Sequence, residues 1–151
     1  MNPAKRYFRK FAVLIEEYAV ELFILEALAI ILIYHSIRNI EIITLTVFVA
    51  FFLSETIKFF VDENRPKTAQ ERAYFKKHRS RLKNHSFPST HSSVVAAFAG
   101  AFYGTYIFIP LLAFALLVMY SRVYLKSHYP RDVFAGGALG ILIGYSITIL
   151  L

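Results

Sequence analysis

In the last third of the chain, the stretch Ser121–Asp132, SRVYLKSHYPRD, collects residues able to do chemistry where an apolar segment runs out. His128 and Asp132 are four apart, with Pro130 between them. Proline fits the first turn of a helix but not its interior, so Pro130 is expected to open the segment that follows. A carboxylate four residues from a histidine can hold one imidazole nitrogen and leave the other basic and exposed, the arrangement that nucleophilic catalysis uses. Arg122 adds a planar, permanently charged fork suited to phosphate oxygens. Taken alone, the stretch reads more simply as a helix-start proline beside a local His–Asp hydrogen bond.

Two further stretches shift that balance. Lys58 is followed by Arg65-Pro66, giving K-x6-RP, and Pro88-Ser89-Thr90-His91 stands immediately before another apolar run. Ser89 or Thr90 can cap a helix there, and a helix start offers free backbone N–H groups to an anion. Each has a plain reading as well. Lys58 can be a snorkelling lysine with Glu55 as an i,i+3 partner, and Ser89-Thr90-His91 can be an ordinary cap.

The elements that must position these residues are apolar. At 57% hydrophobic and 17% aromatic, the composition exceeds that of a soluble domain and points to a bilayer. No cysteine is present, which excludes disulfide and thiol chemistry. The net charge of +7 could suit nucleic acid, but in so apolar a chain anionic lipid or a phosphate-bearing substrate is the better partner, and nucleic acid is set aside. Apolar segments run over Tyr18–Tyr34, Ile40–Val61, Ser92–Ile109, Pro110–Ser127 and Val133–Leu151. Each approaches the ~20 residues that cross a bilayer, so the expected fold is an all-α, polytopic bundle of about five transmembrane helices in a single domain, residues 1–151. Residues 1–17 carry Lys5, Arg6, Arg9 and Lys10 but are interrupted by Glu16 and Glu17, which suggests an uncleaved, amphipathic start to the first helix. Glu21 and Glu26 follow inside the first span; the simplest placement sets Glu21 at the interface and Glu26 against a neighbouring helix.

Small residues recur every fourth position at Ala96, Gly100 and Gly104 and again at Gly136, Gly140 and Gly144, which lets helix backbones approach closely. Contact between the third and fifth spans is the expected use, with a homodimer interface as the alternative. Between the second and third spans, Asp62–His91 forms a polar loop whose first part, to Lys83, holds eight basic and three acidic residues. Within it, Ala69–Lys83 has helix-forming composition, with Tyr74, Phe75 and Leu82 as possible membrane-facing residues. The loop is either a solvated charged segment or a basic funnel that draws an anionic headgroup to the site. With five spans, the loops after spans two and four share one membrane face, and every motif residue lies in or beside them. Three cations, two histidines, one aspartate and a capped helix start thus converge on one anion-sized target.

K-x6-RP, then P-S-x-H, then SR-x5-H-x3-D, in this order from Lys58 to Asp132, resembles the three-part signature of the type 2 phosphatidic acid phosphatase superfamily. One position departs: the family's P-S-G-H reads P-S-T-H, and Thr90 adds a β-branched side chain beside the phosphate position. The resemblance implies roles. His128 would attack phosphorus and form a phosphohistidine. Asp132 would hold its imidazole in the productive tautomer. His91 would protonate the leaving oxygen and later activate water. Lys58, Arg65, Ser89, the Thr90 N–H and Arg122 would bind the phosphoryl oxygens, with no metal and no cofactor. A His–Asp zinc site, the chemical rival, lacks a third good ligand in these loops.

Membrane embedding selects among that superfamily's branches and makes a lipid-linked phosphate the expected substrate. The basic loop leans the reading to a lipid A 1-phosphatase-like or broad lipid phosphatase, with undecaprenyl diphosphate and phosphatidylglycerol phosphate as alternatives. A catalytically inactive lipid-binding protein is the alternative of a different class. Of seventeen lysines and arginines, sixteen fall on the motif face and only Arg38 on the other. Charge counting therefore directs the site to the cytoplasm. The resemblance implies a multi-pass protein of the inner membrane with its site on the periplasmic face, and that is the expectation adopted.

Overall fold

A computed structural model of the chain describes residues 3–34, 36–61, 63–66 and 85–151. Among these residues five helices follow one another: α1 (Pro3–Tyr34), α2 (Ile37–Phe60), α3 (Thr90–Ala101), α4 (Phe108–Tyr124) and α5 (Pro130–Leu150). Among the described residues the β structure is a lone antiparallel bridge between Asn64 and His85. Most of the basic loop, including Ala69–Lys83, lies outside the described residues.

The shortest of these helices is the central one. α3 has 12 residues, about 18 Å at 1.5 Å per residue, and is buried over nearly its whole length. Its small side chains admit neighbours on every side. Phe98 meets Phe23 of α1 edge to face at 4.9 Å and shares a core with Ile42 and Ile43 of α2 and Leu111 of α4. On another side, Ala97 packs with Ala50 of α2 and with Ile143 and Ile147 of α5. The expected third span, Ser92–Ile109, therefore stays helical only to Ala101. Turns carry the chain from the Phe102 cap to α4, and among them Gly104 adopts φ +81°, a left-handed conformation that glycine takes without strain.

Ala96 and Gly100 of the first small-residue stripe, and all three glycines of the second, are used between α3 and α5, whereas Gly104 lies beyond the end of α3 with none of the described residues against it. A Cβ at Gly140 would lie 2.1 Å from the Ser93 carbonyl oxygen, and one at Gly144 would lie 1.9 Å from that of Ala97. From the other direction, a Cβ at Gly100 would lie 2.6 Å from the Ile141 carbonyl oxygen. Backbones approach here as closely as hydrogen allows, which is the contact expected between the third and fifth apolar segments.

α2 and α5 are long and apolar enough to cross a membrane, and α4 is a shorter apolar helix. α1 is a continuous helix of 32 residues in which Glu21 is exposed and Glu26 half-buried. Large apolar side chains face outward, among them Phe48, Phe60, Leu142 and Ile149, while α2 turns Thr46, Ala50, Ser54 and Lys58 inward at four-residue intervals. Such an outer surface is a liability in water and the ordinary arrangement against hydrocarbon.

Candidate active site

The site is assembled where α2 ends, α3 begins and α4 gives way to α5. α4 closes with the Ser127 N–H on the Arg122 carbonyl at 2.9 Å and the Lys126 N–H on the Val123 carbonyl at 2.9 Å. This is a Schellman cap with Lys126 at φ 53° in the place that glycine usually takes. The cap turns the chain so that His128 is buried, 3% exposed, just before Pro130 opens α5. Asp132, fully buried in the first turn, accepts the Tyr129 N–H on Oδ2 at 2.9 Å.

His128 Nδ1 lies 2.9 Å from the main-chain carbonyl oxygen of Ser86. A carbonyl can only accept, so Nδ1 carries the proton and Nε2 holds the basic lone pair. Asp132 Oδ2 stands 3.6 Å from Nδ1, at ion-pair rather than hydrogen-bond distance. The carboxylate therefore supports the imidazole electrostatically while a peptide group fixes its tautomer. Burial pushes the His128 pKa below the ordinary imidazole value, and the charges of Arg65, Arg122 and Lys58 push it the same way, against the opposing pull of Asp132. The ring is thus neutral at neutral pH, the form that can act as a nucleophile.

Facing it is a second cluster. Lys58, 7% exposed at the end of α2, contacts Glu55 Oε1 at 2.7 Å and also donates to Thr90 Oγ1. Ser89 caps α3: its Oγ accepts the Ser92 N–H at 3.5 Å and the Ser92 hydroxyl at 2.9 Å, and its own hydroxyl proton remains available to an acceptor. Arg122 is buried at the C-terminal end of α4, and Arg65 is half-buried. His91, exposed on the first turn of α3, lies within the fields of Arg122, His128, Lys58 and Arg65.

Main-chain clips hold the three segments together. The Ser86 N–H donates to the Glu63 carbonyl at 2.7 Å beside the Asn64–His85 bridge, and the Ser89 N–H donates to the Asp132 carbonyl at 2.9 Å. Arg131 pairs with Glu63 across the same junction. A Cβ at Gly136 would stand 2.5 Å from the Ser89 carbonyl oxygen, so glycine lets α5 seat against the start of α3. The structure thus brings His128, Asp132, His91, Lys58, Arg65, Ser89, Thr90 and Arg122 to one junction. Sequence reasoning missed the Ser86 carbonyl, which any residue type could supply, and saw Glu55 only as a partner for Lys58.

Such an arrangement defines a class: a helical bundle with an apolar exterior and a cluster of cations and two histidines at one end. Residues 40–151 match the PAP2 superfamily, and the chain belongs to that family. It is 31% identical over 137 residues to the undecaprenyl-diphosphatase of Sulfolobus acidocaldarius, covering 88% of this chain and 66% of that protein. It is 34% identical over 110 residues to lipid phosphate phosphatase gamma of Arabidopsis thaliana, covering 63% of this chain and 46% of the relative. The chain therefore spans about two thirds of the first relative's length and under half of the second's. The crystal structure of a transmembrane PAP2-type phosphatidylglycerolphosphate phosphatase from Bacillus subtilis shares the fold, with a TM-score of 0.69, 20% identity and coverage of 99% of this chain and 78% of that one.

Proposed function

We propose that the protein is a membrane-embedded lipid phosphatase that works through a phosphohistidine. His128 Nε2 attacks phosphorus in line as the bond to the leaving oxygen breaks, the lipid's own oxygen in a monoester or the bridging oxygen in a diphosphate, and protonated His91 delivers a proton to that oxygen. In the second step His91 takes a proton from water, the water oxygen bonds to phosphorus, and the N–P bond breaks to return His128 and inorganic phosphate. Lys58, Arg65, Arg122, the Ser89 hydroxyl and the Thr90 N–H balance the charge on the phosphoryl oxygens in both steps.

The observation that carries this reading is where the apolar space lies. A cavity of about 630 Å³, lined by Phe23 and Ile24 of α1 and Val47, Phe48 and Phe51 of α2, runs to Thr90 and His91. Hydrocarbon attached to the leaving oxygen would lie on the side of the residue proposed to protonate it. The relatives named above support a lipid phosphate or diphosphate. The Sulfolobus protein in particular favours the polyprenyl diphosphate alternative, whereas most of the basic loop that suggested lipid A lies outside the described residues. In this reading all five helices sit in the bilayer, α3 being shielded by the other four, and the site opens at the periplasmic face.

The test is phosphate release from purified polyprenyl diphosphate, phosphatidylglycerol phosphate, phosphatidic acid and lipid A in detergent with excess EDTA, beside water-soluble short-chain counterparts. Release is expected from at least one long-chain substrate in preference to its soluble counterpart, with inhibition by vanadate. Release from none, or release that EDTA abolishes and zinc or magnesium restores, overturns the reading.

A further inference from the structure

Thr90 stands where the resembling signature has glycine, and its hydroxyl is not idle. Glu55 Oε1 accepts from Thr90 Oγ1 at 2.6 Å and from Lys58 Nζ at 2.7 Å, and Lys58 also donates to Thr90 Oγ1. The directions are forced by chemistry. A carboxylate only accepts and an ammonium only donates, so the threonine hydroxyl must accept from Lys58 and give its single proton to Glu55. Of the three ammonium protons, two are engaged in this ring and, among the described residues, one is left for a phosphoryl oxygen. The cluster joins the last turn of α2 to the first residue of α3, with Lys58 and Thr90 both buried and Glu55 reaching in from a more open position.

We infer that Glu55 is a positioning residue of the phosphate site, acting through Lys58 and the Thr90 hydroxyl, and that Glu55 and Thr90 work as a matched pair. A lysine on a four-carbon stem has many rotamers, and an unheld ammonium would not stay over the α3 N-terminus. With glycine at position 90, Lys58 would lose its Thr90 anchor and Glu55 its Thr90 donor. The threonine thus substitutes a side-chain anchor for the backbone freedom of glycine, and Glu55 completes it.

This inference rests on the phosphatase reading for the identity of the anion, so its test uses orthovanadate binding as well as turnover. Glu55→Gln and Glu55→Ala remove the same charge, but only glutamine keeps an acceptor for Lys58 and Thr90. Comparing those two variants therefore separates holding from charge. With Thr90 present, Glu55→Gln is expected to bind vanadate, and to keep kcat/KM, about tenfold better than Glu55→Ala, the usual worth of a hydrogen bond to a charged group. In the Thr90→Gly background that ratio is expected to fall below about threefold, because coupled residues are non-additive. Equal behaviour of the two Glu55 variants, or the same ratio in both backgrounds, overturns the inference, whereas a residue needed only for folding would give just that sameness once signals are normalised to folded protein. Coupling in vanadate binding without turnover of any lipid phosphate would sink the phosphatase reading and leave this one standing. Turnover without coupling would do the reverse.

Discussion

His128 is held from behind by main chain: the Ser86 carbonyl on Nδ1, the Schellman turn before it, and the Ser89–Asp132 peptide bond that docks α3 on α5. Among the described residues Lys58, on the other side of the site, is held by the side chains of Glu55 and Thr90. A peptide group cannot be mutated away, and glycines at the α3–α5 seam leave no slack, so the histidine side is fixed by the fold itself. The lysine side is fixed by residue choice and can be retuned one substitution at a time. In the proposed mechanism this separates a rigid nucleophile from an adjustable anion clamp.

Loss of the proposed nucleophile would break this comparison most sharply. His128→Ala is expected to abolish turnover of every substrate, since no covalent intermediate can form. His91→Ala should instead depend on the leaving group. On a lipid alkoxide it should cost roughly 10²–10⁴-fold, the usual worth of a positioned acid. Nitrophenolate departs without a proton, so p-nitrophenyl phosphate should still give a rapid burst, followed by slow hydrolysis of trapped phosphohistidine. If His91→Ala slowed burst and lipid cleavage equally, or if His128→Ala were the variant that still burst, the two assignments would have to be exchanged or abandoned.

How far the sequence disclosed this arrangement follows the same division. Pro130 announced the start of α5, the glycine stripes announced the α3–α5 contact, and the ordered motifs named the residues that meet at the junction. What stayed hidden was either main chain or short range. The Ser86 carbonyl leaves no trace in residue identity, and hydropathy could not show that α3 stops at Ala101, because the turns that follow are apolar too. The His–Asp spacing suggested a direct hydrogen bond, but at i,i+4 across a helix start the Asp132 oxygen is drawn to the Tyr129 N–H and stops 3.6 Å from the imidazole.

A smaller effect sharpens the claim of rigidity. At Gly144 an added Cβ would meet backbone, the Ala97 carbonyl oxygen at 1.9 Å and the Ala101 nitrogen at 2.6 Å. At Gly137 it would meet only the Met119 side chain, the methyl at 2.7 Å and sulfur at 3.2 Å, which can rotate aside. Gly144→Ala should therefore destabilise by about 1–3 kcal/mol, the range for overpacking, and Gly137→Ala by clearly less. Reversible unfolding in detergent reads the difference. Equal costs would mean that the seam yields as easily as a methionine, and that the histidine side is not held by close backbone contact.

The smallest expected effect is a gain, at the turn that aims His128. Lys126 adopts φ 53° at the C′ position of α4, where an L-side chain meets the following carbonyl and glycine does not. Its side chain is exposed, so little packing is lost on removing it. Lys126→Gly should relieve the left-handed strain while adding some unfolded-chain entropy, for a net stabilisation of about 0.5–1 kcal/mol. Lys126→Ala removes the same charge and keeps the strain, so it should give no such gain. Turnover should be unchanged by either, because the turn is dictated by the Arg122 and Val123 carbonyls rather than by the lysine. If alanine stabilised as much as glycine, the benefit would come from charge and not from φ. If glycine lowered stability or activity, the lysine side chain itself would be holding the turn, and the His128 side of the site would depend on residue choice after all.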